Sequence, residues 1–386
     1  MSAPAGRYVA LDSLRGICAC AVVMFHCSGQ SHLFEFLPIR HGWLFVDFFF
    51  VLSGFVIATS YRKRLASGFG IAEFMWLRFW RVYPLHLAVL VAFVLFEIGT
   101  VTVLPAGIMN REAFTGVNSA DGLVASFFLV QIFFGPDAAW NLPAWSISAE
   151  IWTYLIFAFL FRFGGRLLVP ICLCIAIAAV IILLNSDRYM NAVHDNALLR
   201  CVFGFAMGVV AWRLAPNANK FSFGGDIAET AVELIMIVIV GGFLAIFGVG
   251  PSAIAAPFVF LLAVLVFSRQ RGAVSRFLMT AAPARLGQLS FSIYMIHMFI
   301  LYRVLNGLSL LDRMTNLDLY QSVSGATASS AGAWIGDAFT LLSLATVILC
   351  AEVTYRFIET PGQRFGRAQL QRRLAKAPPS TSQVAE

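Results

Sequence analysis

An arginine and a histidine lie inside the first apolar segment of the chain. Arg15 and His26 both belong to the run LDSLRGICACAVVMFHCSG at residues 11–29. In a helix, their spacing of eleven residues corresponds to roughly 16 Å along the axis, about half the thickness of a bilayer core. Because a buried cation and a buried imidazole both cost free energy, ionisable residues at such depths are candidates for function. The pair indicates a site that binds an anionic group from one side and performs proton chemistry at mid-depth.

Two further arginines open the third apolar segment. Arg78 and Arg81 are three residues apart in WLRFWRVYPLHL, so a helix places them on one face. With Arg15 they can converge on a mouth of the protein, where guanidinium groups suit bidentate recognition of phosphates. Coenzyme A carries its phosphates at one end and its thioester on a long arm, which would then extend toward His26. The alternative is that these arginines extend to lipid headgroups.

If His26 acts as a base, it needs a second group that orients its ring. Two acids are predicted at a matching depth, Asp47 in GWLFVDFFFVLSGF and Glu150 in AWSISAEIW. A carboxylate bonded to the imidazole would fix its tautomer and stabilise the imidazolium form. Either acid could instead cap a helix or pair with an arginine, and His26 itself could be structural. His297, in SFSIYMIH, either lines the same cavity or makes a structural hydrogen bond.

The composition is that of a polytopic membrane protein. Of 386 residues, 60% are hydrophobic and only 12% are charged, too few to cover the surface of a soluble protein of this length. Apolar runs near twenty residues, without the alternation of a membrane β-barrel, predict an all-α transmembrane bundle. The net charge of +7 is better explained by basic inner loops than by a nucleic-acid partner. No spacing of histidines, cysteines or acids indicates a metal site.

Eleven apolar segments are candidates for membrane spans. They occupy approximately residues 10–28, 43–60, 75–98, 122–134, 145–161, 167–184, 197–212, 230–248, 252–267, 287–305 and 336–355. The segment 122–134 is too short to cross easily, and we expect it to be re-entrant or interfacial. Ten spans then place the basic loops 61–81 and 269–285 and both termini on the cytoplasmic side of the inner membrane, with most of the 27 lysines and arginines. In this interpretation residues 1–360 form one membrane domain, and residues 361–386 form a partly disordered cytoplasmic tail.

These motifs resemble those of the integral-membrane acyltransferase 3 family of O-acyltransferases. The matching pieces, in family order, are LDSLRGICACAVVMFH with its Arg-x10-His spacing, FVDFFFVLSGFVI, RFWRVYPLHL with its Arg-x-x-Arg spacing, WSISAEIWTYLIF, SFSIYMIH and YRFIETP. They cover about residues 8–365. One piece alone says little, whereas six in order are specific. The chain departs from the family pattern at Ser13 and at residues 149–151, where Ala-Glu-Ile replaces Val-Glu-Glu. The second departure argues against any role that needs two adjacent acids.

The resemblance implies transfer of an acyl group, usually acetyl from acetyl-CoA, to a hydroxyl of an extracytoplasmic acceptor. Acceptors of the family include exopolysaccharides and O-antigens, and a lipid-linked oligosaccharide is another candidate. The resemblance also implies that Arg15 and His26 form the essential pair and that Arg78 and Arg81 contact the acyl donor. His26 would either deprotonate the acceptor or carry the acyl group briefly. The alternative function is transport or flipping of an anionic or lipid-linked substrate, although the paired, broken helices of many transporters are not evident.

Overall fold

The computed structural model describes residues 8–27, 29–103, 113–135, 140–220, 224–315 and 330–376. Within these ranges the chain is helical and contains no strand. Its helices are α1 (Val9–His26), α2 (His32–Glu35), α3 (Leu37–Arg40), α4 (Phe45–Ala66), α5 (Ile71–Val103), α6 (Ala120–Phe127), α7 (Ala144–Phe163), α8 (Leu168–Leu184), α9 (Ala197–Ala218), α10 (Asp226–Phe247), α11 (Ala256–Ser268), α12 (Ala273–Leu278), α13 (Ala281–Thr315), α14 (Ser330–Thr354) and α15 (Thr360–Lys376).

Ten helical segments of the described chain are long and apolar enough to cross a membrane. They contain α1, α4, α5, α7, α8, α9, α10, α11, α13 and α14. Each corresponds to one of the ten spans expected from hydropathy and charge. The predicted fold class, a polytopic bundle of transmembrane helices, is therefore confirmed.

The short apolar segment at 122–134 does not form a spanning helix. It contains α6, which has eight residues and is roughly 12 Å long, and a 3-10 turn at Gln131–Phe133. The carbonyl of Leu129 accepts hydrogen bonds from Ser148 Oγ at 2.6 Å and Trp152 Nε1 at 3.2 Å. These bonds hold the segment against the first half of α7.

The basic loops meet at one end of the bundle. Arg162 at the end of α7 donates to the carbonyl of Leu65 at the end of α4, with an N–O distance of 2.9 Å. At the start of α1, the Ala10 amide donates to Gln270 Oε1, 3.1 Å away. We call this the basic end, and the end that carries His26 and α2 the opposite end. The positive-inside rule predicts that the basic end is cytoplasmic.

Glycines let two pairs of helices cross with their backbones in contact. A Cβ atom at Gly16 of α1 would collide with the backbone of Leu286 on α13, and one at Gly54 of α4 would collide with Phe205 on α9. Small residues permit this approach in a membrane, where helices associate by packing rather than by the hydrophobic effect. The first crossing fixes α1, which carries Arg15 and His26, against α13.

The chain continues as helix beyond the last span. A π-helical turn, Tyr355–Glu359, joins α14 to α15. The α15 helix lies against α5, where Trp76 Nε1 donates to the carbonyl of Gly366 at 2.9 Å. The first part of the predicted tail is thus a packed helix, and the stretch 377–386, for which we expect disorder, lies outside the described residues.

Candidate active site

Three cavities follow one another from the basic end to the opposite end. The first, which we call the basic mouth, includes Arg64 and Arg367 in its lining. It shares Arg78 and Arg81 with the second, the inner cavity, which has a volume of about 120 Å³. The inner cavity in turn shares Val46 and Tyr294 with the third, the outer cavity, which has a volume of about 730 Å³. The inner and outer cavities are therefore adjacent, and Val46 and Tyr294 lie at the boundary between them.

Arg15 lines the inner cavity and is held there by α13. Its Nε donates to Ser290 Oγ at 2.8 Å, and its second terminal nitrogen donates to the carbonyl of Gly287 at 3.3 Å. The same nitrogen lies 3.7 Å from an oxygen of Asp12. The contacts with Ser290 and Gly287 follow from the close crossing of α1 and α13, whereas Asp12 is on α1 itself. Together they orient the guanidinium.

Arg78 and Arg81 share one face of α5, as their spacing predicts, but their partners differ. Arg81 donates to Glu359 Oε1 at 2.6 Å, and the other carboxylate oxygen accepts from Ser292 Oγ at 2.7 Å. Arg78 instead donates to the hydroxyl of Tyr61 at 3.2 Å and stacks on its ring. Within the described chain Arg78 has no carboxylate at ion-pair distance, and its Nε is buried without a hydrogen-bond partner. Arg78 is therefore the better placed of the two to bind an added anion.

Glu150 lies in the inner cavity with the three arginines. One of its carboxylate oxygens accepts hydrogen bonds from Ser53 Oγ at 2.6 Å and from the hydroxyl of Tyr154 at 2.5 Å. Neither bond involves His26, which lines the outer cavity. The structure therefore does not bring Glu150 to the imidazole, contrary to the expectation from sequence.

Asp47 is not a hydrogen-bond partner of His26 either, because an arginine occupies both of its oxygens. Arg200 on α9 donates to the two carboxylate oxygens at 2.9 and 2.6 Å, and both side chains are buried. The guanidinium stacks between the rings of Trp43 and Trp145, with its central carbon 5.1 and 5.2 Å from their centroids. Of the roles that the sequence leaves open for Asp47, the structure therefore supports pairing with an arginine.

His26 ends α1 at the wall of the outer cavity and meets a second histidine. Its Nδ1 lies 2.9 Å from the carbonyl of Val22 and 3.3 Å from Nε2 of His297. A carbonyl can only accept, so Nδ1 of the neutral ring carries the proton and Nε2 carries a lone pair. The arrangement leaves Nε2, without a partner among the described residues, as the nitrogen that can take a proton from a molecule in the outer cavity.

Comparison with known proteins decides the family. The model of the acyltransferase 3 family, described as an acyltransferase domain, matches residues 8–351. The chain belongs to this family. It is similar to the acyltransferase MdmB of Streptomyces mycarofaciens, at 26% identity over 98% of this chain and 97% of that protein. It is also similar to protein 2 in the picA locus of Rhizobium radiobacter, at 31% identity over 48% of this chain and 98% of that protein. No solved structure matches it.

Two residues of this acyltransferase site escaped the sequence analysis. Arg200 interrupts the apolar run ALLRCVFGFAMG, and a buried charge requires a partner, which is a signal for its pairing with Asp47. Glu359 lies in the motif YRFIETP, but nothing in that motif shows that it reaches Arg81. Among the described residues, no group of three or more histidines, cysteines and acids is arranged to hold a metal ion.

Proposed function

We propose that this acyltransferase moves an acyl group, most simply acetyl, from acyl-CoA to a hydroxyl of an extracytoplasmic glycan. The observation that carries the proposal is the series of three adjacent cavities. It begins at Arg78 and the basic mouth, passes Arg15, and ends at His26 in the outer cavity. Donor and acceptor can therefore enter from opposite ends and meet near Tyr294.

The donor would bind with its charged end in the basic mouth. Arg64, Arg78 and Arg367 present guanidinium groups there, and such groups form charge-assisted hydrogen bonds with phosphate oxygens. The inner cavity, at about 120 Å³, is far smaller than the roughly 300–1,000 Å³ of a pocket for a drug-sized ligand. It has no room for the nucleotide of coenzyme A, so the acyl-bearing end of the arm is the part of the donor that would enter it. The carboxylate of Glu150 can accept a hydrogen bond from an amide N–H of that arm.

The chemistry follows from the free lone pair of His26. Nε2 takes the proton of the acceptor hydroxyl, whose oxygen attacks the thioester carbonyl carbon. The carbon–sulfur bond then breaks, and the thiolate takes the proton back from the imidazolium, which yields an ester and free coenzyme A. In the second route, still open, Nε2 attacks the thioester carbonyl carbon, and the carbon–sulfur bond breaks to release the thiolate of coenzyme A. The acceptor hydroxyl then attacks the acyl-imidazole, the carbon–nitrogen bond breaks, and the hydroxyl proton passes to the thiolate.

The acceptor would occupy the outer cavity. Its volume of about 730 Å³ is within the range of small-molecule sites, so it can hold one or two sugar residues of a longer chain. The half-buried Trp43 is among its lining residues, and aromatic faces suit stacking against sugars. Exopolysaccharide, O-antigen and lipid-linked oligosaccharide are the glycans we would supply.

The test uses the full chain purified in lipid nanodiscs, with radiolabelled acetyl-CoA. We expect His26→Ala to abolish both the hydrolysis of acetyl-CoA and the transfer of label to glycan acceptors. His86→Ala is the matched control, because His86 is also buried, at 1% exposure, and bonds to the carbonyl of Ser126 away from the cavities. It should retain activity. Gel filtration of both variants verifies folding.

The same preparation separates this function from transport. A transporter or flippase would move labelled substrate across the membrane of a proteoliposome without cleaving the thioester. Full acyl transfer by His26→Ala would contradict the proposal, and so would translocation of intact substrate without thioester cleavage in the unmodified protein.

A further inference from the structure

The partner of His26 is a histidine from another helix. His297 on α13 is fully buried, at 0% exposure. Its Nδ1 lies 2.6 Å from the carbonyl of Tyr294, which can only accept, so the proton of the neutral ring is on Nδ1. Its Nε2 therefore presents a lone pair, and that lone pair points at Nδ1 of His26, 3.3 Å away. For two neutral imidazoles, the direction of this hydrogen bond follows from the two backbone carbonyls.

We propose that His297 is the positioning residue of His26, in the place that a carboxylate occupies in hydrolase triads. The inference rests on the proposed function, in which Nε2 of His26 reacts. The proton on Nδ1 of His26 is shared between Val22 O and His297 Nε2, and it stays on Nδ1 throughout. His297 touches neither donor nor acceptor, and it acts by holding the tautomer and the direction of the ring.

The two acceptors of that proton have different roles. The carbonyl of Val22 belongs to the same helix as His26, four residues earlier, so it moves with α1 and favours one tautomer only. His297 belongs to α13, as does Tyr294, whose ring borders both cavities. The hydrogen bond to His297 therefore fixes the His26 ring relative to the boundary between the inner and outer cavities, which the thioester must reach. The Val22 carbonyl cannot do this, because it belongs to α1 itself.

A neutral acceptor also suits this depth in the membrane. A carboxylate buried beside His26 would need a cation of its own, as the pairing of Asp47 with Arg200 illustrates. Imidazole accepts the same hydrogen bond without a net charge and is satisfied by one carbonyl on its other side. The pair thus orients the base at a smaller desolvation cost.

The experiment reads the tautomer of His26 directly, without enzymatic activity. The chain has six histidines, so labelling with ¹⁵N-histidine gives few signals, and His26→Ala assigns the one of interest. We expect unmodified protein above pH 7 to show a protonated Nδ1 and an unprotonated Nε2 at His26. An Nε2-protonated His26 in this sample would overturn the proposal, whether or not any variant folds.

Two substitutions at His297 then test the acceptor. In His297→Gln the side-chain oxygen can replace the Nε2 lone pair, and we expect the tautomer to be kept and most of kcat to be retained. In His297→Leu the carbonyl of Val22 still favours the Nδ1-protonated tautomer, but the ring loses its fixed direction. We therefore expect shifted ¹⁵N signals of His26 and a loss in kcat of about 10- to 100-fold, the size seen when metal-bound histidines lose their outer partner. The KM for acetyl-CoA should not change. His86→Leu is the control for loss of a buried histidine.

Contrary results are distinguishable. If His297→Leu folds and leaves both the ¹⁵N spectrum of His26 and kcat unchanged, the positioning role is wrong. If His297→Gln loses as much kcat as His297→Leu, the acceptor atom is not what matters and the role is wrong as well. If instead His26→Ala still transfers acyl groups, the proposed function itself fails, whatever the tautomer of His26.

Discussion

Arginines lie on both sides of Tyr294, and their burial and their partners differ. On the outer side, the guanidinium of Arg200 is saturated by both oxygens of Asp47 and is only 1% exposed. On the inner side, Arg78 lines two cavities and has no carboxylate partner among the described residues. A cation already neutralised by a bidentate carboxylate belongs to the framework, whereas an uncompensated one at a cavity wall is available to an anion. We therefore expect anion binding in the inner half.

The largest expected effect is on stability in the outer half. Asp47→Ala leaves the Arg200 guanidinium buried without its counter-charge, which costs about 3–5 kcal/mol in free energy of unfolding. Thermal unfolding in detergent measures the loss. The double variant Asp47→Ala/Arg200→Met should recover most of it, since no unpaired charge remains. An Asp47→Ala protein that is as stable as the parent but inactive would show that this acid acts in the chemistry instead.

The second effect is on donor binding in the inner half. Arg78→Gln removes the uncompensated cation, and hydrogen bonds to charged groups contribute about 1.5–3 kcal/mol, so we expect affinity for acetyl-CoA to fall by about 10- to 100-fold. Stability should not change, because no carboxylate loses its partner. Calorimetric titration with acetyl-CoA gives the affinity. Arg62→Gln is the control. Arg62, on α4, lies at the same basic end of the bundle as Arg78, but it stacks on Trp212 outside the cavities. Equal losses in both variants would contradict a specific role for Arg78.

The pairing of Arg81 with Glu359 should produce a smaller effect of the opposite sign. In the proposed function the carboxylate would compete with donor phosphates for this arginine, so Glu359→Gln should tighten acetyl-CoA binding by about 3- to 5-fold, up to about 1 kcal/mol. Glu352→Gln is the control, because Glu352 pairs with Arg285 instead. Weaker binding in Glu359→Gln than in the parent would mean that the carboxylate positions Arg81 rather than competing for it.

The smallest expected effect is at the boundary between the two halves. The hydroxyl of Tyr294 is 2.8 Å from Ser146 Oγ and donates to the carbonyl of Pro143 at 3.3 Å. Removing it in Tyr294→Phe costs about 1 kcal/mol, and the ring should move more freely. We expect hydrolysis of acetyl-CoA without acceptor to rise about 2- to 5-fold, measured by thiol release. Tyr302→Phe, at a partly exposed position of the same helix, should leave it unchanged, and a rise there would refute the interpretation.

The arrangement of helices could be predicted from the sequence because it depends on length, hydropathy and charge along the chain. The placement of Arg15, Arg78 and Arg81 around one cavity could also be predicted, since helical spacing sets which side chains share a face. The length of the apolar segment 122–134 likewise indicated that it is too short to span the membrane. Each of these properties is local to one segment.

The partners across helices could not be predicted in the same way. Sequence gives the depth of Asp47 and Glu150 but not the rotation of their helices. That rotation depends on packing, such as the close approach of Gly54 to Phe205 that sets α4 against α9. The position of Glu359 depends on the π-helical turn Tyr355–Glu359, which inserts an extra residue into the helical repeat and has no hydropathy signal.

The small volume of the inner cavity bears on whether the membrane potential affects the reaction. Moving one elementary charge across a membrane costs or yields about 2.3 kcal/mol per 100 mV, so an enzyme that carried the phosphates of its donor outward would work against or with the potential. A space of about 120 Å³ has no room for the nucleotide and its phosphates, so only an uncharged part of the donor would enter it. In the proposed mechanism the acyl group passes from coenzyme A to the acceptor, and the hydrogen of the acceptor hydroxyl passes to coenzyme A. The exchange moves no net charge across the membrane. Turnover should therefore continue at the same rate in polarised and depolarised vesicles.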